Sequence, residues 1–361
     1  MKRIKELDLM RGIAILLVVL GHTLPPVIKD NYIFAYLIYH FIYNFHMPLF
    51  FLLSGFLFYL RGQDYLLKRI VISKFKQLMI PYLSYSILIY LFINFLIRFS
   101  ERLAKILNEN GYETSNSIYE IVYNILTYNN HMDKHIWFVY ALFIIFILAT
   151  IIETISSNYG IKNHYILIVF LLISFFVSLD ILPIIKIIEL SLYNFVFFYA
   201  GKLFVNIYKK KFLLLKYSTS IITLFLIFNL ITIFFHYWTI NHYIYKGIGE
   251  IIHQLLIYPT SILGIFSVYI ICNKIQKIEL VKKLLLLSDY SYDIYLIHQP
   301  FIVSGCIALT YILLNVPVVI SVILALTFGI IVPIIISKYI IRRNNLLGFI
   351  LLGRQLTKRS V

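Results

Sequence analysis

The chain has few of the residues that hold soluble and secreted folds together. Only 13% of its 361 residues are charged, acidic residues number 16 against 32 basic ones, and there are two cysteines. Low charge and 61% hydrophobic content fall far outside a soluble profile. Two cysteines, Cys272 and Cys306, both in apolar runs, give neither a disulfide framework nor a metal-ligand spacing, and both read as core residues. No polar stretch is long enough for a sizeable separate domain. No HExxH, paired-carboxylate motif, phosphate-binding glycine loop, GxGxxG or zinc pattern is present. Metal chemistry is therefore not expected. The formal net charge of +16 is compatible with nucleic-acid binding, but the basic residues sit between hydrophobic spans and read as loop charges, so no nucleic-acid partner is expected.

What the chain does have is apolar runs long enough to cross a bilayer, which takes roughly 20 residues of helix. Ten such runs are predicted, at about 9–27, 34–60, 78–98, 136–154, 164–180, 190–208, 216–236, 252–272, 286–312 and 316–341. The second and ninth are long enough to tilt or break. The runs are too continuously apolar for the alternating strands of a barrel. The expected fold is all-α: a polytopic transmembrane bundle of about ten spans, with residues 1–345 as one domain and 346–361 as a short basic cytoplasmic tail. The start, MKRIKELDLM before GIAILLVVL, resembles the basic and apolar regions of a signal peptide. No small-x-small cleavage site follows, so it reads as the first permanent helix. The longest connection, about 99–135, carries Glu101, Glu109, Glu113, Glu120 and Asp133 and reads as a small external cap.

Ionisable residues inside apolar runs tend to face a protein interior or a water-filled path, because exposing them to lipid is expensive. The first run carries Arg11 and His22, eleven residues apart. On a helix they share a face, roughly 20° apart and separated by about 16 Å of rise. Arg11 lies near one membrane surface, where it either binds a ligand or snorkels to headgroups. His22 lies deeper, where neutral imidazole can act as a base or nucleophile, or simply bond across a helix contact. His46 precedes Pro48, which predicts an interruption of the second span with freed carbonyls. Ser54-Gly55 permits close helix approach. His135 and Trp137 open the fourth span, where Trp is expected at an interface without any function. They are also candidates to stack on an acceptor. His298, with Asp293 and Tyr295 on the ninth span, lines either a site or a core polar network.

Several stretches together resemble the membrane acyltransferase-3 family. ELDLMRGIAILLVVLGHT contains Arg11-x10-His22, FHMPLFFLLSGFLF is similar to the family's second helix, and HIWFVYALF and YSYDIYLIHQP resemble two later signatures. The motifs occur in order from residue 6 to about 300. The resemblance implies an integral-membrane O-acyltransferase, most simply an O-acetyltransferase. It would move an acyl group from acetyl-CoA or another acyl-CoA to a hydroxyl of a cell-surface or lipid-linked glycan, in a bacterial cytoplasmic membrane. It implies His22 as catalytic base or acyl acceptor, and Arg11, Arg69 and Lys74 as binders of the donor's phosphates. His46, His135, Trp137 and His298 would then line the acceptor side. Expected partners are acyl-CoA, a carbohydrate acceptor and membrane lipids. Many relatives carry an Arg-x-x-Arg pair before the third helix. Here the place is taken by Lys74-x-x-Gln77, which keeps the loop basic but loses bidentate phosphate recognition. The alternatives are a glycan transporter or flippase, which also uses intramembrane His and Arg, and a sensor or assembly partner that keeps the fold without activity.

Basic residues set the expected orientation. With the N-terminus in the cytoplasm, 25 of the 32 lysines and arginines fall on the cytoplasmic side and 7 outside. Reporter fusions after Lys76, Lys211 and Lys283 should therefore report cytoplasm, and one near Glu113 the exterior. An exterior signal at Lys211 would break the ten-span order.

Overall fold

Lipid offers no partner for a peptide group, so a chain this apolar satisfies its backbone within each segment, as helix. The fold, taken from a computed structural model, describes residues 4–62, 66–99, 117–128, 135–179, 184–209, 211–241, 246–276 and 281–354. It is 87% helix, with no strand among the described residues. In chain order the principal helices are α1 (Lys5–His22), α2 (Ile33–Tyr43), α3 (His46–Leu60), α4 (Leu67–Lys74), α5 (Ile80–Phe99), α6 (Ile118–Thr127), α7 (Trp137–Tyr159), α8 (Asn163–Ser178), α9 (Lys186–Lys209) and α10 (Ser218–Asn241). They continue with α11 (Lys246–Ile275), α12 (Val281–Asp289), α13 (Ser291–Ile297), α14 (Val303–Ile307), α15 (Val318–Tyr339) and α16 (Asn345–Leu352).

Among the described residues, seven segments are long and apolar enough to cross a membrane: 33–60, 67–99, 137–159, 186–208, 218–239, 247–275 and 318–343. Each overlaps one of the ten expected runs. The other three fall short for identifiable reasons. The first, α1, carries Lys5, Glu6, Asp8 and Arg11 within its 18 residues. The fifth, α8, has 16 residues. The ninth is divided into α12, α13 and α14. Most of the long connection before α7, including Glu101, Glu109, Glu113 and Asp133, lies outside the described residues, as do 355–361 of the basic tail.

Contacts divide the chain into two units interleaved in sequence, residues 1–63, 163–181 and 193–334 in one, and 64–162, 182–192 and 335–361 in the other. The first unit is built on α1. Its core joins Leu7, Met10 and Ala14 of α1 to Leu49, Leu52 and Phe56 of α3, with Phe204, Ile265, Tyr269 and the fully buried Cys272 around them. Since α3 ends beside the start of α1, α2 and α3 run back antiparallel to it.

The second span breaks at Asn44 and Phe45, between α2 and α3, and His46 becomes the first residue of α3 with Pro48 in its first turn. The carbonyls released there are matched internally. Asn229 Nδ2 donates to the Phe41 carbonyl (3.1 Å), Asn44 Nδ2 donates to Asn229 Oδ1 (3.1 Å), and Ser261 Oγ donates to the Asn44 carbonyl (2.6 Å). Asn44, Asn229 and Ser261 are all buried. This network fixes the direction in which α3 leaves the break, and with it His46.

In the second unit, α4 passes through a π-helical turn, Phe75–Met79, into α5. Tyr82 and Tyr140 donate to the carbonyls of Ile125 (2.7 Å) and Leu126 (3.0 Å), tying α6 to α5 and α7.

Helix α3 crosses the later part of α9 at glycine. A Cβ on Gly55 would collide with the Phe198 carbonyl, and one on Gly201 with the backbone of Leu52, Gly55 and Phe56. Neighbouring Ser54 instead returns its hydroxyl to the Phe50 carbonyl at 2.8 Å. Gly55→Ala should therefore force the two backbones apart and lower stability by about 1–3 kcal/mol or more. Ser54→Ala should stay within about 0.5 kcal/mol of the parent. Thermal melting of the two variants in detergent checks this, and equal melting temperatures would contradict the close crossing.

Candidate functional site

The polar centre of the first unit forms where three helices each present an imidazole. His22 is the last residue of α1, an uninterrupted helix that also carries Arg11, so the spacing and shared face expected of the pair hold. His298 follows the last residue of α13, at one of the breaks in the ninth run. The His22 and His298 rings meet edge to face, with centroids 5.1 Å apart and an angle of 68°. His46 is close enough to interact electrostatically with His22. Its ring lies 4.7 Å from that of Tyr43, which packs against Gly21.

Two of these rings are held in defined tautomers by their own helices. His46 Nδ1 is 3.0 Å from the Ile42 carbonyl, and His298 Nδ1 is 2.9 Å from both the Ile294 and Tyr295 carbonyls. A carbonyl only accepts, so Nδ1 carries the hydrogen in each neutral ring and the lone pair is on Nε2. Both rings are buried, at 3% and 0% exposure, whereas His22 keeps accessible surface. Of the three histidines, His22 is the least enclosed, and the anchored His298 ring abuts it. Asp293, one turn before His298, is buried as well. Toward the start of α1, the half-exposed Arg11 guanidinium lies 3.6 Å from the Asp8 carboxylate.

The remaining predicted site residues lie in the second unit. Arg69 lines a cavity of about 400 Å³ with Ser73, Lys76, Gln77, Phe349 and Arg354. Lys74 does not line it. Its ammonium lies 4.0 Å over the Phe146 ring and donates to Gln77 Oε1 at 3.3 Å. Arg354 enters from the far end of the chain. Asn344 caps α16 by accepting from the amides of Leu346 and Leu347, and Gly353 ends it at φ 61°. A side chain at Gly353 would meet the Gln77 and Lys76 backbone, so only glycine lets the turn lie against the π-helical segment and bring Arg354 to the cavity. The cavity draws Arg69, Lys76 and Arg354 from three elements: α4, the π-helical turn and the end of α16. The sequence spacing gave no sign of Arg354, because 285 residues separate it from Arg69. His135 is buried in the turn before α7, and Trp137, half-buried, meets Phe138 edge to face at 6.5 Å.

Another cluster in the first unit drew no notice in the sequence. His40 of α2, His236 of α10 and His253 of α11 form a row of mutually tilted rings, with successive centroids 4.3 and 4.8 Å apart. All three stand near or within apolar runs, which was the available signal. Among the described residues, no group of three or more His, Cys, Asp or Glu is arranged to hold a metal ion.

The first unit thus has a partly exposed histidine at the end of an apolar helix, and the second has a cavity rich in cations. Those are the parts that proton or acyl exchange and anion binding require. A family model described as an acyltransferase domain, that of the acyltransferase-3 family, matches residues 4–338. Comparison with curated proteins and with solved structures gives no match. With nearly its whole length inside that match, the chain belongs to the acyltransferase-3 family of membrane acyltransferases.

Proposed function

We propose that this membrane acyltransferase is an O-acyltransferase that takes an acyl group, in the simplest case acetyl, from acyl-CoA. It delivers the group to a hydroxyl of a cell-surface or lipid-linked glycan, working in a bacterial cytoplasmic membrane. All ten runs traverse the bilayer in this reading, with both termini cytoplasmic and 346–361 as a basic tail. The observation that carries it is the partly exposed His22 at the far end of the helix bearing Arg11, with the anchored His298 ring against it.

In the direct route, His22 removes the proton of the acceptor hydroxyl as its oxygen bonds to the thioester carbon. The carbon–sulfur bond breaks, and the imidazolium returns the proton to the leaving thiolate. In the covalent route, His22 attacks the thioester carbon and expels the coenzyme A thiolate, and the acyl-imidazole then passes the acyl group to the hydroxyl oxygen, whose proton balances the thiolate. Both routes exchange one thioester for one ester and need no metal. His298 acts as a positioning residue in either. Arg69, Lys76 and Arg354 supply cations for the phosphates of coenzyme A. Lys74 supports the loop through Gln77. Intramembrane His and Arg also suit a glycan flippase, which would release no thiol from the donor.

The test measures thiol release from acetyl-CoA by the purified protein supplied with cell-envelope glycan. His22→Ala and His22→Gln should each lower turnover by about 10²–10⁴-fold, with coenzyme A affinity and melting temperature close to the parent. An amide keeps hydrogen bonding but is no useful base, so a merely structural histidine predicts recovery in the Gln variant instead. Near-normal turnover in either well-folded variant would overturn the assignment. In the same assay, Arg354→Ala should raise the half-saturating donor concentration several-fold with little change in maximal turnover. That effect should weaken with added salt, because the cavity's cations are exposed.

A further inference from the structure

The row of histidines forms a second polar site, separate from the ring pair at His22. His40 lies 4.3 Å from His236, and His236 lies 4.8 Å from His253, ring centroid to centroid. Tyr36 lies 4.3 Å from His40 and stacks at 24° on His236 at 6.5 Å. Lys29 Nζ sits 4.9 Å over the Tyr39 ring, itself 5.1 Å from the His40 ring. Two polar atoms here are buried with no hydrogen-bond partner, Tyr36 Oη and His40 Nε2. Each such atom costs about 1–3 kcal/mol unless something satisfies it, so a concentration of them in one region points to a ligand.

The position of the cluster suggests which substrate it meets. Tyr43 packs against Gly21, level with the C-terminal end of α1, and α2 runs antiparallel to α1. Residues earlier in α2 therefore lie beyond that end, His40 by about 4.5 Å and Tyr36 by about 10 Å of helical rise from Tyr43. His236 is in the last two turns of α10 and His253 in the second turn of α11, the matching end of that pair. The cluster thus lies on the side of His22 away from Arg11. A run of ring contacts links the two places: His40 to Tyr39 at 5.1 Å, Tyr39 to Tyr43 at 3.9 Å, and Tyr43 to His46 at 4.7 Å.

Its chemistry favours an anion. The charged groups acting on His40 are His236, Lys29 and His253, while the Asp30 carboxylate acts on Tyr36 and Tyr39. Asp30, the nearby carboxylate, is paired with Lys29 at 3.0 Å. Imidazoles supply N–H donors and gain further charge by protonation beside an anion, and the Lys29 ammonium is a donor with no acceptor capacity. A row of tilted rings does not converge three nitrogens on one point, as a metal would require.

We propose that His40, His236 and His253, with Lys29 and Tyr36, bind an oxyanion carried by the acceptor glycan, a carboxylate or a phosphate diester. The assignment to the acceptor rests on the function proposed above, in which donor and acceptor approach His22 from opposite sides. The existence of the oxyanion site does not.

The test is NMR of the full-length protein, labelled with ¹⁵N-histidine, in phosphatidylcholine nanodiscs titrated with inorganic phosphate. The ring signals of the three histidines, assigned with single His→Gln variants, should move with one common midpoint in roughly the millimolar range. His236→Gln should suppress the response of the other two, and His253→Gln serves if that variant fails to fold. Trigalacturonate should displace phosphate, and its neutral methyl ester should not. Silence of the three rings toward phosphate would overturn the site. Displacement by acid and ester alike would make it a neutral-sugar site, contrary to the proposal. Failure of trigalacturonate to displace phosphate would remove the glycan as the carrier. A matching response to phosphatidylglycerol nanodiscs without phosphate would assign the anion to a lipid headgroup instead. Because every readout is binding, a failure of catalysis at His22 leaves these outcomes unchanged.

Discussion

A peptide group in the interior of a membrane bundle must find its partner within the protein, and the first unit depends on how it meets that demand at the break in its second span. The break releases the carbonyls of Phe41 and Asn44 inside the bundle. Asn229 and Ser261, from two other helices, take them up, and Asn44 joins the network with its side chain. An unmatched carbonyl there would cost about 1–3 kcal/mol. Matched, the break becomes a rigid corner that starts α3 at His46 and sends α2 out past the end of α1. His46 at the start of α3 and His40 on α2 both take their places from that corner.

The same logic recurs wherever the structure departs from plain helix. The ninth run is broken on either side of α13, and the second break leaves His298 bonded to two carbonyls of its own helix. The π-helical turn after α4 lies against the Gly353 turn, beside the cavity lined by Arg69, Lys76 and Arg354. Irregular backbone is tolerated in such a protein where it lines a site, and its occurrence here follows the ionisable residues.

Much of this was legible in the sequence, for physical reasons. Long apolar runs can only be helices in lipid, so the all-helical class followed from length alone. The interruption at His46 was visible because Pro48 cannot donate an amide, and the close crossing because Ser54-Gly55 is small. Arg11 and His22 stand out because burying them is expensive. Other features were not legible. The count of apolar helices depends on how much charge a crossing helix tolerates, which α1 strains with four ionisable residues in its first two turns. Arg354 reaches the cavity only through the α16 cap and Gly353, a long-range contact with no local pattern. His40, His236 and His253 come from three separate helices, and only their packing brings them together. Lys74, expected at the donor's phosphates, is turned toward Phe146 and Gln77.

The account stands on one partly exposed histidine serving a donor and an acceptor that arrive from opposite sides. The most direct measurement uses sealed vesicles with the protein in one orientation, acyl-labelled acetyl-CoA on the side of the α1 N-terminus and cell-envelope glycan on the other. The account predicts label on the glycan and free coenzyme A thiol retained on the donor side, in step with each other. Transfer that proceeds only when donor and glycan share one side would contradict it.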